Sequence, residues 1–269
     1  MAETTWRDRV QQCVTLIRQM EPRFEGEPDP IEPGSSLAGD DAGRPKLPVS
    51  NLVWFGLSAA QDHLSQLADI LTAEGLGQRP FAPHTLARSA LLCASQAVWL
   101  LGAGSREIRL NRAALIYLDE WTNQRTYLKD YRNDPLIAHD IDAKGMAQID
   151  TLLARLDTKI ANLKPTVSGR YTSTGMLQEA AEWATRQESS SWRRRAYLHQ
   201  WRVGSAVAHG RMWSLNLMAG KSDTSVGDSV LRTFHLTDEE LGTALGSAWM
   251  MTNAGIGLWD ERRTNHLTV

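Results

Sequence analysis

The sequence predicts an all-α protein, a multi-helix bundle of about eight helices with one small β-hairpin near 224–236. Three observations carry this. Apolar residues recur at three- and four-residue steps in segment after segment. Strand signal is slight: turn residues followed by alternating Val230, Arg232, Phe234 and Leu236. From Pro80 onward the connections are mostly short, as in helical bundles.

Residues 5–20 read as an amphipathic helix with Trp6, Val10, Cys13, Val14 and Ile17 on one face. Residues 21–49 are rich in Pro, Gly and acids and read as a loop or linker. Nothing in that stretch suggests chemistry. A helix follows from Asn51, with Ser50 as cap and Gly75 as stop. "PHTLARSALLCASQAVWLLGAG" then places Leu86, Ala90, Cys93, Ala94, Ala97 and Leu101 together, small enough for close helix packing. Ser105 caps the next helix, and Asp134-Pro135 opens another that stops at Pro165. Two further helices meet near "ESSS", the second running from there to about Met218. Thr237 and Glu240 form a capping box that opens the last helix. The expected organisation is an N-terminal helix over 1–20, the loop or linker over 21–49, and a single helical-bundle domain over 50–269.

A compact chain of 269 residues buries about 75% of the surface it exposes when unfolded, so no staple is required. The net charge of -2 excludes a general polyanion binder and restricts any nucleic-acid surface to a local patch. Two cysteines make neither a disulfide framework nor a zinc site. The N-terminus lacks the apolar core of a signal peptide, and no apolar run reaches the roughly 18 residues that span a bilayer. The expectation is a cytoplasmic protein with no membrane association. Ten tryptophans are scattered over successive segments and are expected to weld helices together.

Chemistry is sought first where it is expected and not found. No H-x-x-x-H or E-x-x-H pair is present, and "HDID" at 139–142 reads as acids complementing a helix dipole, so no metal is expected. "GAGSRE" has no preceding strand to give its glycines a phosphate role. No nucleophile elbow or activated cysteine stands out. No cofactor is expected.

The stretch that remains is Tyr197 to Trp213, "YLHQWRVGSAVAHGRMW". Seven residues are nearly two helical turns, so Arg202 and His209 project from about the same face, with Ser205 and Ala206 between them and Arg195 extending the row. Gly204 to Ala208 would admit another helix or a ligand. A cation, an imidazole and a hydroxyl beside an open groove suit a phosphate and its proton. Arg193 and Arg194 would support binding of a nucleic-acid backbone, or pair with "QEAAEW" on a solvated face.

"WRVGSAVAHG" resembles the R-x4-6-H signature of HEPN (higher-eukaryote and prokaryote nucleotide-binding) domains. The chain also resembles actinobacterial helical proteins that pair an "ARSAL…A…WLL" helix with a late "S…HG" helix, here Ala87 to Leu101 and Ser205 to Gly210. The HEPN resemblance implies a helical bundle that forms a homodimer and cleaves RNA without metal. Arg202 would hold the scissile phosphate, and His209 would assist attack by a ribose 2′-hydroxyl. A toxin or defence role would add a protein antitoxin or regulator as partner. Val203 departs from the active families, which place a polar residue directly after the Arg. The other function the residues allow is a non-catalytic helical module binding a protein partner or small ligand in the small-residue groove.

Overall fold

The computed structural model describes residues 5–73, 80–189, 191–217, 221–226, 229–234 and 236–266. Among them are ten α-helices: α1 Trp6–Met20, α2 Ser36–Gly43, α3 Val49–Thr72, α4 Ala82–Leu101, α5 Arg106–Asn133, α6 Pro135–Asp140, α7 Ala143–Leu163, α8 Ser173–Ala184, α9 Trp192–Ala208 and α10 Asp238–Arg263. An antiparallel hairpin pairs β1 Lys221–Val226 with β2 Ser229–Phe234. The chain is all-α, and the stop expected at Gly75 lies outside the described residues.

Contacts divide the chain into two compact units, where the sequence suggests one bundle over 50–269. The first comprises Met1–Gly39, Ser50–Gly102 and Ser173–Val269; the second comprises Asp40–Val49 and Ala103–Thr172.

The first unit is organised around α4. Ala87, Ala90, Ala94 and Ala97 are fully buried at helical spacing, leaving a low-relief surface on which other helices settle closely. A Cβ on Gly56 of α3 would stand 2.9 Å from the carbonyl oxygen of Cys93, and one on Gly255 of α10 would stand 3.5 Å from Ala97 Cβ. On α8, Glu179 accepts a hydrogen bond from the Trp99 indole of α4 at 3.0 Å. Gln61 of α3 donates to the Ile17 carbonyl of α1 at 3.1 Å. The capping boxes of Thr5 with Asp8 and Thr237 with Glu240 open α1 and α10.

Residues 21–39 are not a free linker. They form a 3-10 turn over Glu21–Phe24 and enter α2. Phe24 stacks on Trp54, which packs on Trp259 at 5.2 Å. Arg23 bridges Asp29 and Asp260, and the Glu32 amide donates to the Arg263 carbonyl at 2.9 Å. Burying Leu37 completely gives α2, with its weak "SLAGDDAG" sequence, the tertiary support that propensity does not supply.

In the second unit α5 and α7 run antiparallel, with Arg125 paired to Asp157 and Arg132 to Asp150. The helix expected from Pro135 to Pro165 breaks because Asp142 leaves the helical conformation and caps α7, accepting from the Gly145 amide at 2.7 Å. Leu47, Ala114 and Leu163 form its core with Tyr117, Trp121 and Val167. Among the described residues, Asp40 with Arg109 is the one charge pair buried on both sides. Asp40 is 0% exposed and takes Arg109 Nε at 2.6 Å and Nη2 at 2.9 Å; Arg109 Nη1 reaches the Ala103 carbonyl.

Removing one member of such a pair strands the other without solvent. Asp40→Ala is expected to lose about 3–5 kcal/mol in urea unfolding. Asp157→Ala, which removes an exposed pair, is expected to change the midpoint little.

Candidate functional site

Helix α9 has two unlike faces. Ala196, Tyr197, Gln200, Val203, Gly204 and Ala206 are buried, following the three- and four-residue steps of a core-facing stripe. Burial pushes the Tyr197 phenol up to about 12, which removes it as an acid–base group near neutral pH. Val203 is 4% exposed, so the position after Arg202 packs inward and takes an apolar side chain.

Gly204 answers why small residues lie between Arg202 and His209. A Cβ there would meet Arg88 Cβ at 2.6 Å and the His84 carbonyl oxygen at 2.9 Å. The glycine lets α9 approach α4, and that side of the expected groove is filled. Of the small residues between 204 and 208, Gly204 and Ala206 are buried, Ser205 is half-buried and Ala208 is exposed.

The other face is cationic. Arg194, Arg195, Arg202 and His209 are exposed, with Arg193 half-buried. Arg193 pairs with Glu188 at 2.6 Å and Arg194 with Glu182 at 3.5 Å, so these two are partly committed to the solvated face. Arg195, Arg202 and Arg211 make no ion pair among the described residues. Trp192 to Leu217 contains no Asp or Glu, in a chain whose net charge is -2.

The helix ends at His209. Its backbone departs from helical values at φ -99 and ψ 10, its N–H donates to the Ser205 carbonyl at 3.2 Å, and Gly210 follows at φ +61. Glycine alone adopts that left-handed conformation without strain, so it terminates the helix. The helix expected to reach Met218 instead gives way to a 3-10 turn over Met212–Leu217. This turn leaves Met212 and Trp213 exposed. Trp192 and Trp213, one at each end of the arginine-bearing segment, are the two exposed tryptophans of the ten; the other eight are buried or half-buried, as welds between packed elements.

Arg88 joins this region without any motif announcing it. Its guanidinium lies 4.3 Å from the Trp201 ring centroid, and its Nε has no hydrogen-bond acceptor among the described residues. Burial pushes its pKa below the usual arginine range. The cation–π contact offsets part of that desolvation. "ARSAL" contains the residue, but only the packing of α4 on α9 brings it to Trp201.

Among the described residues no cluster of three or more His, Cys, Asp or Glu could hold a metal ion. No helix among them is long and apolar enough to cross a membrane. Comparison with protein-family models, curated proteins and solved structures finds no match to the chain.

The packing at Gly204 gives a direct test. Alanine is the better helix former by up to about 1 kcal/mol. The contact with the His84 backbone has no flexible end to move away, so Gly204→Ala is expected to lose about 1–3 kcal/mol in chemical denaturation. Ala208→Ser, on the exposed side, is expected to stay within about 0.5 kcal/mol of the parent.

Proposed function

We propose that the chain is a HEPN-like RNA-binding protein that cleaves RNA without metal, using Arg202 and His209. The observation that carries this reading is the acid-free, outward-facing run of cations on α9. Arg195, Arg202 and Arg211 are exposed and unpaired among the described residues, and His209 is exposed beside them. Unpaired arginines neutralise phosphates, and the exposed Trp192 and Trp213 offer surfaces on which bases stack.

The chemistry follows from the groups present. His209 takes the proton from a ribose 2′-hydroxyl as its oxygen attacks the adjacent phosphorus. The 5′-oxygen of the next nucleotide leaves and is protonated, and a 2′,3′-cyclic phosphate remains. Arg202 holds the charge that builds on the non-bridging oxygens. Seven residues of helix rise about 10 Å, so within one chain Arg202 and His209 address neighbouring phosphates. The HEPN resemblance resolves this spacing with a homodimer, in which the Arg of one copy and the His of the other share one cleft.

One observation favours the binding-module reading. Met212, Trp213 and Leu217 are 79%, 49% and 54% exposed, an apolar surface suited to a second copy or to a regulator such as an antitoxin. Both readings use the same end of α9.

Cleavage of a mixed labelled RNA pool in EDTA separates them. The wild type is expected to leave cyclic phosphate ends, and a folded His209→Ala variant to be slower by about 10²–10⁴-fold. A wild type that binds RNA but never cuts it would overturn the catalytic reading and leave the binding module.

A further inference from the structure

Beside the Phe24–Trp54–Trp259 stack of the first unit lies a cavity of about 410 Å³. One wall is α3, which lines it with Asn51, Trp54, Phe55 and Ser58. These positions are i, i+3, i+4 and i+7, so they form a single stripe, aromatic in the middle and polar at both ends. The segment 28–31 makes a second wall, and Trp259 of α10 completes the lining. Trp54 is accounted for by the stack, but Phe55 is not: at 73% it is the most exposed aromatic side chain among the described residues. A large apolar ring left in water at the edge of a cavity marks a contact surface.

The polar ends of the stripe are unspent. Asn51 and Ser58 make no side-chain hydrogen bond among the described residues. Neither is enclosed: Asn51 is exposed, and the half-buried Ser58 keeps its hydroxyl open to the surface. The walls then narrow the occupant. Pro28 and Pro30 have no N–H, so the segment they form cannot zip to an incoming strand. An incoming helix has spent its carbonyls internally and would leave Asn51 and Ser58 without acceptors. A polyproline II segment keeps every carbonyl free and repeats every three residues, about 9 Å along its axis. Seven residues of α3 set Asn51 and Ser58 about 10 Å apart. The two side chains match carbonyls one repeat apart, with Trp54 and Phe55 between them to receive pyrrolidine rings.

Charge selects what flanks the prolines. Arg23 and Arg263 are taken up by Asp29 and Asp260. Glu25 and Glu27, which lead into Pro28, are exposed and make no ion pair among the described residues. This leaves uncompensated negative charge next to the second wall, complementary to a basic residue on the occupant.

We infer that this cavity is a docking site for a proline-rich segment of a partner protein, flanked by a basic residue. No residue of α9 lines it, so the inference is independent of RNA binding and cleavage by Arg202 and His209.

Calorimetric titration of the full chain with a capped ten-residue peptide, a lysine at each end of Pro-Pro-Ala-Pro-Pro-Ala-Pro-Pro, tests this. Binding at a 1:1 ratio is expected. Replacing the prolines by glycine is expected to weaken it at least about tenfold, because the free peptide is no longer preorganised. Glutamate in place of both lysines is expected to weaken it as well. Phe55→Ala, at an exposed position that leaves thermal stability unchanged, is expected to cost at least about tenfold, and Asn51→Ala about two- to tenfold. The His209→Ala variant is expected to bind the peptide as the wild type does. No binding at millimolar peptide would overturn the inference. Equal affinity for the glycine peptide, or unchanged affinity in folded Phe55→Ala, would overturn it too. Tighter binding of free indole than of any peptide would assign the cavity to a small aromatic ligand instead.

Discussion

Close approach of backbones to α4 is the constraint on which the first unit depends. Its alanine face has little relief, and two helices come down on it through glycines at Gly56 and Gly204, while Gly255 of α10 rests on it at ordinary contact distance. Interiors pack near crystal density, so a single added methyl group at such a point has nowhere to go. At Gly204 the approach also fixes the rotation of α9 about its own axis. With Tyr197, Val203, Gly204 and Ala206 turned inward, Arg195 and Arg202 must face solvent. The exposed cationic face is the geometric complement of the packing face.

Charge is distributed to match. Arg18, Arg23, Arg125 and Arg132 each have a carboxylate partner. Exposed pairs of this kind add little stability, so their absence at Arg195, Arg202 and Arg211 among the described residues is not a defect in the fold. It leaves Arg195, Arg202 and Arg211 able to exchange solvent for phosphate without first breaking an ion pair. Arg88 differs from them: half-buried on Trp201, it stiffens the junction of α4 and α9 more than it widens the cationic surface.

Features set by local chemistry were legible in the sequence. Ser105, and the Thr237–Glu240 box, cap helices through bonds to backbone three residues away. Features set by distant partners were not. "SLAGDDAG" has no helical periodicity of note, and it folds as α2 because Leu37 is buried and Asp40 meets Arg109 across the sequence. Asp142 was legible as an acid suited to a helix start, but its capping break between α6 and α7 was not. The small residues of α9 suggested an opening; Arg88 and the His84 backbone, which fill it, come from a helix more than a hundred residues earlier.

The central claim is that the outward face of α9 is a phosphate-binding surface held in place by packing on α4. The salt dependence of single-stranded RNA binding tests it most directly. Each phosphate neutralised contributes about 0.7 to the slope of log affinity against log salt concentration for single strands. The account predicts that Arg195→Gln combined with Arg202→Gln lowers that slope by about 1.4 and leaves thermal stability unchanged. An unchanged slope in the folded double variant would contradict it and place any RNA contact elsewhere on the molecule.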